Sequence, residues 1–363
     1  MPATAPSYAR PYAGLKVLDL SQGIAGPYCG MLLAQYGADV LKVEPAAGDW
    51  GRALLARLAA RCDVVLENFR PGVADRLGAG YEAVRQSNPK VLYVSVSAFG
   101  QRGPGRDLPG SDTVAQAFSG MMMVNRDAAG VPRSTGFLTA DYATALYAFQ
   151  ALAAALAARP HEPEGRHLDV SLMQASASFL AMKIIEERME GGLAPKLNAP
   201  AGSYRTKDGW IAVTLTKEAH FGALCAAIDR PALAAEPRFA DFALRAKNLA
   251  ELAPLVQDAL LAKTTREWLA AFHAADVLAS AIHGFTSWLE DPQVRAMDVV
   301  AEEASPGLPS IPWVKIPGAI HPGPDDPRAR WPDVGADAAD ILRDVLELND
   351  DEIARLRDSG ALT

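Results

Sequence analysis

Cysteine is scarce in this sequence. Cys29, Cys62 and Cys225 lie far apart in 363 residues, with no CxxC pair and no Cys/His spacing of a zinc site. An odd, scattered set excludes a disulfide framework and reads as reduced thiols of a cytoplasmic protein. Histidine is as thin: His161, His167, His220, His273, His283 and His321 form no HExxH or comparable set, so each reads as a core or surface residue and no metal is expected. GxGxxG, GxxxxGK[ST] and GxSxG are all missing, which removes the usual dinucleotide, P-loop and serine-hydrolase readings. Lys/Arg clusters are missing too, and the net charge is −8, which argues against nucleic acid or an anionic membrane as partner. A local basic pocket for a phosphorylated ligand remains compatible with that balance. Long apolar runs are also absent. The opening, MPATAPSYARPYAGLK, has no apolar segment of a secretory signal. The most apolar stretch, Ala143 to Ala158, falls short of the roughly 20 residues that span a bilayer.

What is present alternates strand and helix. GLKVLDLS (14–21) is a short apolar run between turn formers, and GPYCGMLLAQYGA (26–38) has a helical period, with Pro27 suited to the first turn. DVLKVEP, RALLARLAARC, DVVLENF, GYEAVRQSN and KVLYVSVSAFG continue as strand, helix, strand, helix, strand. Short connections between such elements predict an α/β fold with a parallel sheet. HLDVSLMQASASFLAMKIIEERM reads as a strand feeding one further helix. GSYRTKDGWIAVTL then reads as a hairpin turning at Asp208-Gly209, followed by helices, with Thr264 and Glu267 at capping-box spacing. HPGPDDPRARWPD is a Pro-rich connector, and ADAADILRDVLEL with DDEIARLRDSG forms a last helix pair. The expected plan is a Rossmann-like large domain over 1–199 and 315–363, a smaller α+β domain over 200–300, and a linker over 301–314.

One acid stands out. In GFLTADYATALYAFQALAAALAAR (136–159), Asp141 is the lone charge at the mouth of a long Ala/Leu helix. An Asp there is a favoured helix cap, worth about 1 kcal/mol. It is equally a carboxylate held as an anion where backbone N–H groups point. The residues alone favour the cap and leave both roles open.

Longer runs carry more information. GLKVLDLSQGIAGPYCGMLLAQYGADVLKVEP (14–45), DVVLENFRPG (63–72), GSDTVAQAFSG (110–120), TADYATA (139–145) and LEDPQVRAMDVV (289–300) together resemble the family III CoA-transferases, the group of formyl-CoA transferase, carnitine CoA-transferase and α-methylacyl-CoA racemase. The resemblance covers nearly the whole chain. It implies an acyl-CoA donor, a carboxylic acid acceptor, coenzyme A as co-substrate without a metal, and an interlocked homodimer. It implies that Asp141 is the catalytic carboxylate, passing through a mixed anhydride and an aspartyl-CoA thioester. It places Asn68, Phe69 and Arg70 at the nucleotide, Arg76 at a phosphate, and Ile24 and Ala25 at the pantetheine and thiol end. Ser111 and Asp112 fall beside the catalytic carboxylate. Racemases of the group carry a His where Ser111 stands, and serine is a poor proton shuttle, which favours transfer over racemisation. For Asp112 the plain alternative is the N-cap of TVAQAF; for Arg70 and Arg76 it is a pair of solvated arginines.

The chain departs from the pattern in several places. Gly48-Asp49-Trp50 runs straight into Gly51-Arg52, where the family has a further few dozen residues that include an NRxKRS-type stretch. Ile24 stands where the family often has a polar residue, GADAAD (335–340) replaces a GxHT-like stretch, and no glycine-rich lid is evident near NAPAGSYR. A racemase or isomerase of the same fold, and a non-catalytic CoA-binding paralogue, therefore stay open beside the transferase.

Overall fold

The computed structural model describes residues 10–44, 51–127, 129–192, 198–303, 310–319, 321, 333–360 and 362. It divides into two compact units, Met1–Ile184 with Ala301–Thr363, and Ile185–Val300.

The first unit is built on five parallel strands: β1 (Lys16–Asp19), β2 (Asp39–Lys42), β3 (Val64–Glu67), β4 (Leu92–Ser97) and β5 (Arg166–Ser171). Their order is β2-β1-β3-β4-β5. Between them run α1 (Ala25–Gln35), α2 (Gly51–Ala59), α3 (Val73–Arg76), α4 (Tyr81–Ser87), α5 (Asp112–Phe118), α6 (Met121–Val124) and α7 (Thr139–Ala158). Successive strand side chains point to opposite faces, so near-continuous apolar runs bury both. Val17, Val64, Leu66, Val94 and Val96 pack against Cys29 and Leu33 of α1 and Ala145, Ala148 and Leu152 of α7. Leu18, Val65 and Tyr93 face Leu58, Val84 and, from the C-terminal end, Leu342, Val345 and Ile353. Helix α7 is apolar around its circumference, as a helix buried on several sides must be. Its alanines let it lie close to the sheet.

After β5 a single helix was expected; the structure has two, α8 (Leu172–Phe179) and α9 (Ala181–Glu190). They part at Leu180, whose N–H is shared between the Ser176 and Ala177 carbonyls. That bifurcation is a common end to a helix.

The second unit contains β6 (Gly202–Arg205), β7 (Trp210–Thr214), α10 (Ala219–Ala227), α11 (Phe242–Lys247), α12 (Leu249–Leu260), α13 (Thr265–Ala274), β8 (Leu278–Ala281), α14 (Phe285–Leu289) and α15 (Pro292–Ala296). Strands β6, β7 and β8 form an antiparallel sheet. The Asp208-Gly209 turn closes with Thr206 N–H on the Gly209 carbonyl at 3.0 Å. The Thr264/Glu267 capping box is formed. Buried Arg245 donates to the Ala199 and Phe239 carbonyls and lies between the rings of Phe221 and Phe242, so this unit has a charge-stitched core of its own.

Strands β9 (Val300–Glu303) and β10 (Ile311–Val314) pair within the stretch expected as a linker. Helices α16 (Ala338–Leu346) and α17 (Asp350–Asp358) follow. The Pro-rich connector, apart from His321 and Asp333, and the Gly48–Trp50 junction lie outside the described residues. Among the described residues no helix is long and apolar enough to cross a membrane. All three thiols are buried. Burial pushes Cys29 and Cys62 up to about 12 and Cys225 up to about 11, so they stay protonated at neutral pH.

Candidate active site

A parallel sheet directs its strand-to-helix loops to the carboxyl ends of the strands. Ligands bind there, where the strand order reverses. In the order β2-β1-β3-β4-β5 the reversal falls between β1 and β3. The loops that leave these two strands are SQGIAGP and NFRPG, and they are tied together. Gln22 N–H donates to Asn68 Oδ1 at 2.8 Å, and Asn68 Nδ2 donates back to the Gln22 carbonyl at 2.6 Å. Asn68 thus spends its amide on holding the neighbouring loop. A Cβ at Gly26 would lie 2.2 Å from Ser21 Cβ, so the turn into α1 requires glycine. Ile24 occupies the N-cap position of α1 and Ala25 is buried at its first turn.

Helix α7 runs back along the sheet from β4 towards the start of β5, so its N-terminus lies at the same carboxyl edge. Tyr28 of α1 meets Tyr142 of α7 edge-on, with ring centroids 4.9 Å apart. This brings the first turns of α1 and α7 side by side, and with them Ile24, Ala25 and Asp141.

Asp141 is not the cap of its helix. Leu138 holds the N-cap position and no side chain of that segment caps the first turn. The acceptor comes from elsewhere. Asp112 is 4% exposed, and its Oδ1 accepts from Ala140 N–H at 2.7 Å and from Asp141 N–H at 3.1 Å. Its Oδ2 accepts from Gln116 Nε2, whose Oε1 in turn accepts from Thr135 N–H at 3.0 Å. Asp112 is also not the cap of its own helix: exposed Ser111 stands at that position and makes no side-chain cap bond. One buried carboxylate therefore fixes the backbone of the residue that precedes and the residue that carries the candidate nucleophile.

The same pairing sets the charge. Asp141 is half-buried, and its carboxyl is pushed up to about 6, first by burial and then by the Asp112 carboxylate. It still ionises below neutrality. It is then a carboxylate raised in basicity, with neighbours that hold its backbone and, among the described residues, leave its oxygens uncommitted.

Two structurally important residues carry no signal that the sequence reading used, and the first of them shapes the second loop. Glu67 is 4% exposed and accepts from Phe69 N–H at 2.8 Å. Burial raises its carboxyl to about 7. Ser95, which partly offsets that rise, has its Oγ 2.9 Å from His167 Nε2. Gln116 is the other omission; its spacing of four from Asp112 on a helix was the available signal. Phe69 is partly buried against the second face of the sheet. Arg70 and Arg76 are exposed, and neither has a carboxylate partner among the described residues. Asp169 accepts from Gln101 N–H at 3.0 Å.

A family model described as CoA-transferase family III matches residues 12–55 and 50–338. The chain belongs to CoA-transferase family III. The two matched stretches of this family III enzyme meet at the junction where residues are missing from the expected pattern. Succinyl-CoA:glutarate CoA-transferase of Homo sapiens is 30% identical over 395 residues, covering 97% of this chain and 90% of the relative. That span exceeds the 363 residues present here, so the relative carries segments that this transferase lacks. Acetyl-CoA:oxalate CoA-transferase of Acetobacter aceti is 30% identical, covering 88% of this chain and 91% of its own. Among solved structures, a CaiB/BaiF family protein from Brucella suis superposes with a TM-score of 0.80 at 27% identity, over 92% of this chain and 99% of that one. Rv3272 of Mycobacterium tuberculosis gives 0.77 at 28% identity, over 86% and 94%.

The raised carboxyl has a consequence for stability. A folded value of about 6 against an ordinary 3.8 means that the protonated acid suits the fold. Its contribution is complete below about pH 4 and is lost as pH rises through about 6. Asp141→Asn is expected to raise Tm by about 2 °C at pH 7.5 and to leave it unchanged at pH 4. Thermal scans of both proteins at the two pH values check this; an equal difference at both would contradict it.

Proposed function

We propose that this protein moves CoA from an acyl-CoA thioester to a carboxylic acid through covalent intermediates on Asp141. The observation that carries the reading is the Asp112-held first turn of α7. It presents a half-buried, basic carboxylate beside the switch-point loops of a family III fold. The Asp141 carboxylate attacks the thioester carbonyl and expels CoA thiolate, leaving an acyl-aspartyl anhydride. The thiolate attacks the Asp141 carbonyl and releases the donor carboxylate, leaving an aspartyl-CoA thioester. The acceptor carboxylate attacks that thioester and expels thiolate, forming a second anhydride. The thiolate then attacks the acceptor carbonyl, which yields the new acyl-CoA and restores Asp141. Every bond is exchanged between oxygen and sulfur at a carbonyl, so no redox partner or net proton is needed. Arg70 and Arg76 supply cations for the CoA phosphates, Asn68 and Phe69 shape the nucleotide loop, and Ile24 and Ala25 face the thiol end. Ser111 offers no base on a second face of an α-carbon, which supports transfer rather than racemisation.

A homodimer belongs to this reading. Phe118 and Phe137 are each 61% exposed and Met182 is 75% exposed, all in the first unit, apolar side chains that a partner chain would cover. Light scattering at micromolar concentration is expected to return twice the chain mass; the mass of one chain would remove the dimer.

Intact mass spectrometry after incubation with a panel of acyl-CoAs, with hydroxylamine trapping, tests the covalent route. The wild type is expected to gain an adduct that maps to the Asp141 peptide and is absent from Asp141→Ala. Bound CoA without any adduct would defeat the mechanism. The pH dependence is a separate check. CoA exchange should rise through about pH 6 as Asp141 ionises. Asp112→Asn keeps an oxygen for the two N–H groups but removes the charge, so its profile should shift to lower pH. An unshifted profile would show that Asp112 does not tune Asp141.

A further inference from the structure

Gly72 follows NFRP at the N-cap position of α3, with φ +83°, a left-handed conformation that glycine adopts without strain. A Cβ at Gly72 would lie 3.7 Å from Arg76 Nη1 and 3.8 Å from Arg106 Nη2, with no other atom of the described residues from beyond its chain neighbours within 4 Å. Two guanidinium groups from separate segments, α3 and the loop after β4, thus lie together beside Gly72. Among the described residues their charges are compensated at most by one distant carboxylate. Arg76 has no carboxylate partner among the described residues, and Arg106 reaches only Asp107, Nε to Oδ1, at 3.9 Å. Asp75, the acid nearest in sequence to Arg76, is turned the other way: a Cβ at Gly80 would lie 1.9 Å from its Oδ1.

Two like charges held this close repel unless an anion bridges them. A phosphorus bound through N–H···O contacts of ordinary length sits about 4 Å from each donor nitrogen. The two nitrogens lie 3.7 and 3.8 Å from one point beside Gly72 Cα, so they are at most about 7.5 Å apart, close enough for one phosphate lying outside Gly72 to reach both. A phosphate, with three free oxygens arranged around one centre, can accept from both forks at once, whereas a planar carboxylate is matched by a single fork. A side chain at residue 72 would fill the space.

We propose that Arg106 joins Arg76 in a two-guanidinium clamp on a phosphate of CoA, which makes Arg106 a CoA-binding residue on a loop outside the segments expected to hold the nucleotide. The inference rests on the CoA-transferase reading and adds a residue to it. It also provides this chain, short of a segment its relatives carry, with a cation from another part of the fold.

Isothermal titration of CoA, dephospho-CoA and adenosine 3′,5′-bisphosphate into wild type, Arg76→Gln, Arg106→Gln and the double variant tests the clamp. Circular dichroism confirms that each variant is folded. Each single change is expected to weaken CoA binding about thirtyfold. The double change should cost less than the product of the two, because both groups share one phosphate. If Arg106→Gln weakens CoA but not dephospho-CoA, the clamp holds the 3′-phosphate; if it weakens both alike, it holds the diphosphate. A CoA affinity of Arg106→Gln within about twofold of wild type would overturn the proposal and leave the CoA reading standing. So would an unchanged CoA affinity with a raised KM for the acceptor acid. Wild type that binds neither CoA nor the bisphosphate would overturn both. Wild type that binds them through Arg106 yet exchanges no acyl group would sink only the transfer mechanism.

Discussion

The carboxylate of Asp112 is the contact on which the candidate site depends. The first backbone N–H groups of a helix have no partner within it, and a buried helix end must find one. Here the acceptor is supplied across space from α5 to α7. That single placement orients the turn that carries Asp141, while its charge, close to the Asp141 carboxyl, opposes ionisation there. One group thus fixes the position of the candidate nucleophile and adds to the effect of burial on its basicity. Gln116 and Thr135 complete the arrangement by tying the other Asp112 oxygen to the segment that leads into α7.

The sheet supplies the setting. Its order reverses between β1 and β3, so the loops after those strands diverge and open a crevice at the carboxyl edge. Reciprocal Gln22–Asn68 hydrogen bonds keep that crevice from spreading further, and Glu67 holds the chain of Phe69 from below. Buried carboxylates thus do structural duty at both margins, Glu67 under one loop and Asp112 under α7. The desolvation that raises the Glu67 carboxyl is the cost of placing an acceptor where two backbone segments need one.

Much of this was legible in the sequence. The alternation of apolar runs and helical periods gave the parallel sheet, because a strand buried on both faces and an amphipathic helix leave different periodicities. Asp141 stood out as the lone charge before an Ala-rich helix, and Thr264 with Glu267 announced their capping box. The division of one expected helix at Leu180 was not legible, since nothing in SASFLAMK breaks a helical pattern. The roles of Asp112 and Asn68 were also hidden. Each looked like a cap or a ligand-facing residue from its neighbours in the chain, and each bonds instead to a segment tens of residues away.

By itself, the sequence determined the class of fold, the family, and the acid that stands alone at the start of α7. Those depend on local pattern and on runs of residues matched in order. Tertiary structure decided which group caps that helix, how basic the acid becomes, which loops share the crevice, and that two arginines thirty residues apart lie together beside Gly72. These follow from distance and burial, which chain order does not encode: a carboxylate's acceptor sites and a guanidinium's field act through space on whatever the fold has brought near.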